Sequence, residues 1–325
     1  MDLADLSVSW RGCEPTTTVD GRCIGWRTGA LFNLPERRQQ LAARGVPEST
    51  ITGDVACVES IGQRGLQGLA SLRLHGLVLV IHRAEGMAML ATDPIGVAEL
   101  WRGEVDDCQV WTSTAPQRLH GWSGVGPSSV VMLQRGRAQT SQVTFIEGPF
   151  VRHRPERWLR ADAQERDALL EEALTSAVCA WVEDCGPIQA STHPALRGVG
   201  GAETGTSWPD IGLDSLAERA PWPAEWAELS PEEMAQAAAR WCAERWGASW
   251  QPPEPVTRVP ATREGQRWLR YGRWSVEALH PALRRAQATG QRVGLPHLNP
   301  ELFALLGALP EQAVHELSRF QALGL

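Results

Sequence analysis

Apolar and polar positions follow two regimes along the chain, and the change comes near residue 150. Before it, apolar residues gather in short runs: 76–81 (GLVLVI), 87–91 (MAMLA), 109–112 (QVWT) and 130–133 (VVML). Turn-forming pieces such as Glu85-Gly86 and Asp93-Pro94-Ile95-Gly96 separate them. Short apolar runs bounded by Gly, Pro and Asp predict strands, and their spacing predicts stacked antiparallel sheets. Two earlier stretches read as helices. Residues 35–43 (PERRQQLAA) have a proline placed to start a helix and Gly45 placed to end it, and 55–69 form the second.

After residue 150 the period lengthens. Residues 152–155 (RHRP) read as a linker, and 163–182 as a long helix. Its apolar positions Leu169, Leu170, Ala173, Leu174, Ala177, Val178 and Trp181 recur at helical spacing, and Gly186 lies beyond its end. Ser230-Pro231-Glu232-Glu233 is a helix start, with a capping-box Ser and Glu around an N1 proline; that helix runs to Trp246 and stops at Gly247. Asn299-Pro300 opens another through Phe303, Leu305 and Leu306, whereas 198–226, rich in Gly, Pro and Trp, reads as irregular. The pattern divides the chain into domains at 1–150 and 151–325.

Composition narrows the picture. Hydrophobic residues at 43% and charged residues at 21% fit a globular protein rather than a disordered one. A net charge of -7 gives no electrostatic reason to expect nucleic acid or an anionic membrane as partner. No apolar run approaches the roughly 18 residues of a membrane helix, and the start Met1-Asp2-Leu3-Ala4-Asp5 is acidic where a secretory signal is basic. The 7 cysteines form no CxxC pair, which favours buried thiols in a reducing compartment; the cytoplasm is the expected location. All 31 basic residues are arginine, as the codons of a G+C-rich genome favour. Any mechanism that needs a side-chain ammonium is excluded.

One family resemblance spans much of the chain. Arg27-Thr28-Gly29-Ala30-Leu31-Phe32-Asn33, then Glu36-Arg37-Arg38-Gln39-Gln40-Leu41 and Arg44-Gly45, Thr52-Gly53-Asp54, 66–74, 77–82 and 91–101 (ATDPIGVAELW) follow one another in a recognisable order. This string resembles the later two-thirds of the glutaminase domain of asparagine synthetases, with its "NGEIYNYRELRxELxxRGH" block and its "ARDRxGxKPLYY" turn. Downstream, 170–182 resembles the helix that opens the synthetase domain, and 291–302 (QRVGLPHLNPEL) resembles its "RxPFLDxxL", with Leu309-Pro310 beyond. The resemblance implies an α+β protein. A truncated N-terminal-nucleophile-hydrolase-like αββα sandwich, of the class II glutamine amidotransferase type, precedes a reduced α/β synthetase-like domain.

The family's chemistry does not carry over residue by residue. Its glutaminase needs a cysteine at the mature N-terminus. Here Cys13 and Cys23 lie inside the chain, outside the family's Cys-Gly-Ile context, and read as buried thiols. The family's glutamine-binding Asn-Gly becomes Thr28-Gly29, while Asp54 stands where the family's aspartate would pair with glutamine's ammonium. The synthetase loop Ser-Gly-Gly-x-Asp-Ser should follow a buried strand. Residues 187–190 (PIQA) lead instead into 191–196 (STHPAL), where proline removes an amide donor and Thr and His add Cβ atoms. Gly200-Gly201-Ala202-Glu203 is a poor match to "GEGADE", and the family's late lysine has no counterpart. The 8 histidines show no HxxxH or HExxH spacing, and Asp106-Asp107 reads as a solvated turn.

The sequence therefore predicts no catalytic, cofactor-binding or metal-ligating residue. It predicts a vestigial ligand cleft at Thr28, Gly29 and Asp54. A partner surface is expected around Trp208, Trp222 and Trp226, within a wider set that includes Trp241, Trp246 and Trp250 and that would otherwise fill a core. The expected role is a non-catalytic, asparagine-synthetase-like pseudoenzyme that binds a protein partner or serves as an accessory subunit. The alternatives are an ATP-dependent amide-bond-forming ligase with an altered ATP loop, of the asparagine, β-lactam or lasso-cyclase type, and an amino-acid sensor using the old glutamine cleft.

Overall fold

The run LVLVIH leaves no polar residue to alternate with until its end, and it forms a strand, Leu77–His82, buried on both faces. The computed structural model describes residues 14–114, 116, 120–134, 137–142, 160–186, 229–247, 275–281, 283–284, 295 and 298–299. They fall into two compact units: 1–146 with Glu183–Cys185, and 147–182 with 186–325. The structure is mixed α+β with antiparallel sheets.

In chain order the first unit holds β1 (Thr16–Thr17), β2 (Cys23–Arg27), β3 (Ala30–Leu31), α1 (Leu34–Ala42), α2 (Gly53–Arg64), α3 (Leu66–Ala70), β4 (Leu74–His75) and β5 (Leu77–His82). There follow β6 (Met87–Thr92), β7 (Trp101–Val105), β8 (Cys108–Thr112), β9 (Ser123–Gly124), β10 (Ser129–Gln134) and β11 (Arg137–Gln142). A six-stranded sheet runs β1-β2-β5-β6-β10-β11, beside a two-stranded β3-β4 and a three-stranded β8-β7-β9.

Register sorts the apolar side chains. Val78 pairs with Ala91 and Val80 with Met89, and these face a core built with Leu34, Leu41, Ala56, Cys57, Val58 and Ile61 of α1 and α2. Leu79 pairs with Leu90 and Ile81 with Ala88, and these face a second core with Leu100, Trp111 and Val131. Strand side chains alternate between faces, so a one-residue slip would exchange the two cores; register is fixed by burial on both sides. Helix α2 lies close to the sheet because Gly25 of β2 has no Cβ, which would meet the Val58 side chain and the Leu79 carbonyl.

Local signals account for the helix bounds. Thr52 caps α2 by accepting from Val55 N–H at 3.3 Å. The helix expected over 55–69 is two helices, because Gly65 takes φ 56° and breaks it. Asp106 and Asp107 turn β7 into β8 with φ 50° and 62°, both exposed, as a tight hairpin requires.

The Asp93-Pro94-Ile95-Gly96 turn is organised by one carboxylate. Asp93 is fully buried. One of its oxygens accepts from Ile95 and Val97 N–H, each at 3.0 Å, and the other from Ala98 N–H at 3.0 Å and Gly76 N–H at 3.2 Å. Burial pushes its pKa up, while the N–H donors of Ala98, Val97, Ile95 and Gly96 favour the charged form. The side chain ties the start of β5 to the loop after β6.

In the second unit, α4 (Ala163–Cys185) is capped by Asp162, which accepts from Glu165 N–H at 2.8 Å. It buries Leu169, Leu170, Leu174, Ala177, Val178 and Trp181. Its final residues, Glu183–Cys185, belong to the first unit, and it ends at Cys185, three residues past the expected stop at Val182. Helix α5 (Pro231–Trp246) carries the reciprocal Ser230–Glu233 capping box and ends at Gly247. Trp241 and Trp246 meet edge to face at 5.2 Å, while Trp208, Trp222, Trp226 and Trp250 lie outside the described residues. The helix expected from Asn299-Pro300, and the whole of 187–201, also lie outside them, Asn299 itself excepted. Among the described residues no helix is long and apolar enough to cross a membrane.

Two outcomes follow. Asp93→Asn keeps one oxygen but sets an NH2 against two N–H donors. It should lower the unfolding free energy by about 2–4 kcal/mol in urea titrations, since buried donors lose their acceptor. The second concerns His75, fully buried and stacked on Phe32 at 5.9 Å, whose pKa burial, with Arg27 nearby, pushes down to about 3. Its folded pKa lies below its unfolded value, so on acidification the unfolded chain takes up a proton that the folded chain refuses. Stability is lost as pH falls below about 6.5, at about 1.4 kcal/mol per pH unit. Between pH 7 and 5 the wild type should lose about 2 kcal/mol more than His75→Phe, by urea unfolding at each pH.

Candidate functional site

The end of β2 and the start of α2 converge on one guanidinium. Arg27 closes β2, paired with Val78 of β5, and its side chain is only 6% exposed. Its Nε donates to Asp54 at 2.9 Å, and Nη1 donates to the Gly29 carbonyl at 3.0 Å. Nη1 and Nη2 also grip the two oxygens of Asp184, at 2.6 and 3.0 Å. The Asp184 side chain is fully buried and also accepts from Leu31 N–H at 2.7 Å. Burial opposes the Arg27 charge, but the acidic groups facing it, Cys57, Asp184 and Asp54, hold its pKa above the ordinary arginine value.

Backbone geometry makes the space. Gly29 has φ 72°, and a Cβ there would collide with the His75 carbonyl; a Cβ at Gly76 would collide with that of Thr28. The β2–β5 ladder thus passes into the β3–β4 pair through two closely opposed glycines. A Cβ at Gly53 would strike the Asp184 carboxylate and the Arg27 guanidinium. Asp54 sits in the first turn of α2, where the helix dipole favours an acid, and its side chain is 39% exposed.

Of the three residues the sequence assigned to a cleft, Gly29 and Asp54 meet at Arg27, and Thr28 does not. The Thr28 hydroxyl accepts from Leu77 N–H at 2.9 Å while its own N–H donates to the Leu77 carbonyl at 2.8 Å. It completes the ladder where the strands kink. Sequence reasoning quoted Arg27 only as part of the resembling string and did not single out Arg27 or Asp184 as site residues. A signal for Asp184 existed: α4 ends in Glu183 and Asp184 with no basic residue in its last turn, where the helix dipole disfavours acids. Both acids have arginine partners in the first unit, Glu183 with Arg38 and Asp184 with Arg27.

The thiols near this cluster are poor nucleophiles at neutral pH. Burial pushes Cys57 and Cys185 each up to about 12. Cys23, the first residue of β2 and almost fully buried, is pushed up to about 11 by burial and by Asp20. Thiolate is the reactive form, so these groups remain protonated. Cys13 lies outside the described residues.

Arg27→Met leaves Asp184 buried without its counter-charge and should cost about 3–5 kcal/mol in urea unfolding. Arg27→Lys should fall between, because an ammonium cannot fork onto both oxygens. Arg27→Met with Asp184→Leu should cost less than the two single changes together. Strict additivity would show that the pair is not coupled.

No family model matches the chain, and no curated protein matches it. Among solved structures it is similar to an allosteric regulatory enzyme of purine biosynthesis, with 17% identity and a TM-score of 0.33 over 38% of this chain and 28% of that one. It is also similar to glutamine phosphoribosylpyrophosphate amidotransferase from B. subtilis, solved with ADP and GMP, with 15% identity and a TM-score of 0.33 over 50% of this chain and 40% of that one. The chain therefore spans less than half the length of either neighbour.

Proposed function

We propose that this chain is a non-catalytic, asparagine-synthetase-like protein that acts as a binding or accessory subunit for a protein partner. On this reading its first domain is a class II glutamine amidotransferase-like unit of the N-terminal-nucleophile-hydrolase type, and its second a reduced synthetase-like domain. The observation that carries the reading is the occupancy of the residues where the resemblance would place a substrate's grip. Asp54 and Gly29 are engaged by the chain's own Arg27, and that guanidinium is gripped in turn by Asp184. With these groups already paired inside the chain, less of their polar capacity is left for an amino-acid substrate. The buried, protonated thiols support the same reading, since none is poised to attack an amide.

Two assays test the loss of chemistry. Ammonia release from L-glutamine should stay at the buffer rate, and isothermal titration with MgATP should give no heat. Sustained ammonia release, or a saturable MgATP isotherm, would overturn the reading. The partner role is checked by copurification from the native extract, followed by reconstitution from purified components. A monomer that captures nothing at native concentration counts against it.

A further inference from the structure

The Asp184 carboxylate is held as a bound ligand is held. Both terminal nitrogens of Arg27 reach its two oxygens at 2.6 and 3.0 Å, and Leu31 N–H adds a third donor at 2.7 Å. The carboxylate is fully buried, in room that exists because residue 53 is glycine. Fork-to-fork pairing of this kind is the strong form of carboxylate recognition.

The donors do not depend on their occupant for their positions. Arg27 ends β2, whose register against β5 is set by Trp26↔Leu79 and Arg27↔Val78. Leu31 lies in β3, paired with Leu74 of β4. Asp54 holds the Nε edge of the guanidinium at 2.9 Å, so Arg27 keeps a counter-charge from an edge that Asp184 does not use. The occupant, by contrast, comes from a place where its own element disfavours it, the carboxyl end of α4.

We propose that Arg27, Leu31 N–H and Gly53 form a preorganised receptor for a carboxylate, filled from within the chain by Asp184, and that it takes up a small free monocarboxylate such as formate or acetate once the Asp184 side chain is removed. This goes beyond the non-catalytic reading and does not rest on it, because it concerns binding at a site whose occupant is internal. With Asp184 present, a tethered carboxylate at high effective concentration outcompetes a dissolved one, so the intact chain should be insensitive to formate.

The test is chemical rescue in the full-length chain. Thermal unfolding of Asp184→Ala is followed as formate replaces chloride at constant ionic strength. In chloride the variant should melt about 6–12 °C below wild type. Formate should restore part of that loss along a saturating curve, acetate likewise, while wild type and the Arg27→Met, Asp184→Ala double variant show no response. An Asp184→Ala melting temperature unmoved by formate overturns the proposal, and so does an equal rise in the double variant. If Asp184→Ala folds only when purified in formate, the receptor is supported. Failure to fold in either salt sinks it, because donors set by strand register should survive the loss of their ligand.

Discussion

A guanidinium buried to 6% exposure stays in a protein interior only if its charge is met, and in this chain the meeting of that charge organises everything around it. Arg27 stands at the end of β2, where the six-stranded sheet hands over to the β3–β4 pair. Its partners come from three separate pieces of sequence: the Gly29 carbonyl, Asp54 of α2 and Asp184 of α4. One cation and two carboxylates leave a net negative charge, eased on one side by the 39% exposure of Asp54 and the amino end of α2. The deeper carboxylate, Asp184, has no such outlet. The Leu31 N–H and, at 3.7 Å, the Cys185 thiol supply its further donors.

The sheet explains why Arg27 can be placed with such economy of motion. Strand β5 is buried on both faces, so its register against β2 and β6 is fixed by two cores at once. Whatever β5 fixes, the end of β2 inherits through the Arg27↔Val78 pair. Gly29 and Gly76 let the ladder kink without collision, and the Thr28 hydroxyl takes the Leu77 N–H that the kink would otherwise leave bare. The Thr28 hydroxyl thus serves the ladder, while its neighbour Gly29 contributes to the ion cluster.

What the sequence made legible was local. The capping box at Ser230, the strand runs, the Asp106-Asp107 turn and the helix stop at Gly247 depend on residues within a few positions of one another, and the structure has all of them. The break at Gly65 was equally local but hidden by an apolar pattern that runs through it. The second domain's α/β character is a different matter, because the described residues there are helical and 187–201 lies outside them. At the cluster, Gly29 and Asp54 were named and Arg27 and Asp184 were not. Nothing in a linear pattern says that a residue 157 positions away supplies a counter-charge.

Two buried carboxylates make the distinction physical. Asp93 is satisfied by the amides of its own turn, Ile95, Val97 and Ala98, with one further bond from Gly76. Its donors are neutral dipoles that move with it, so the motif and its purpose lie together in the sequence, and removing the side chain disorganises the donors as well. Asp184 is satisfied by a charge and an amide fixed in strands far from it in sequence. Its donors would remain aimed at the same point if it were gone. The first arrangement is a turn that happens to be acidic, and the second is a binding site that happens to be filled.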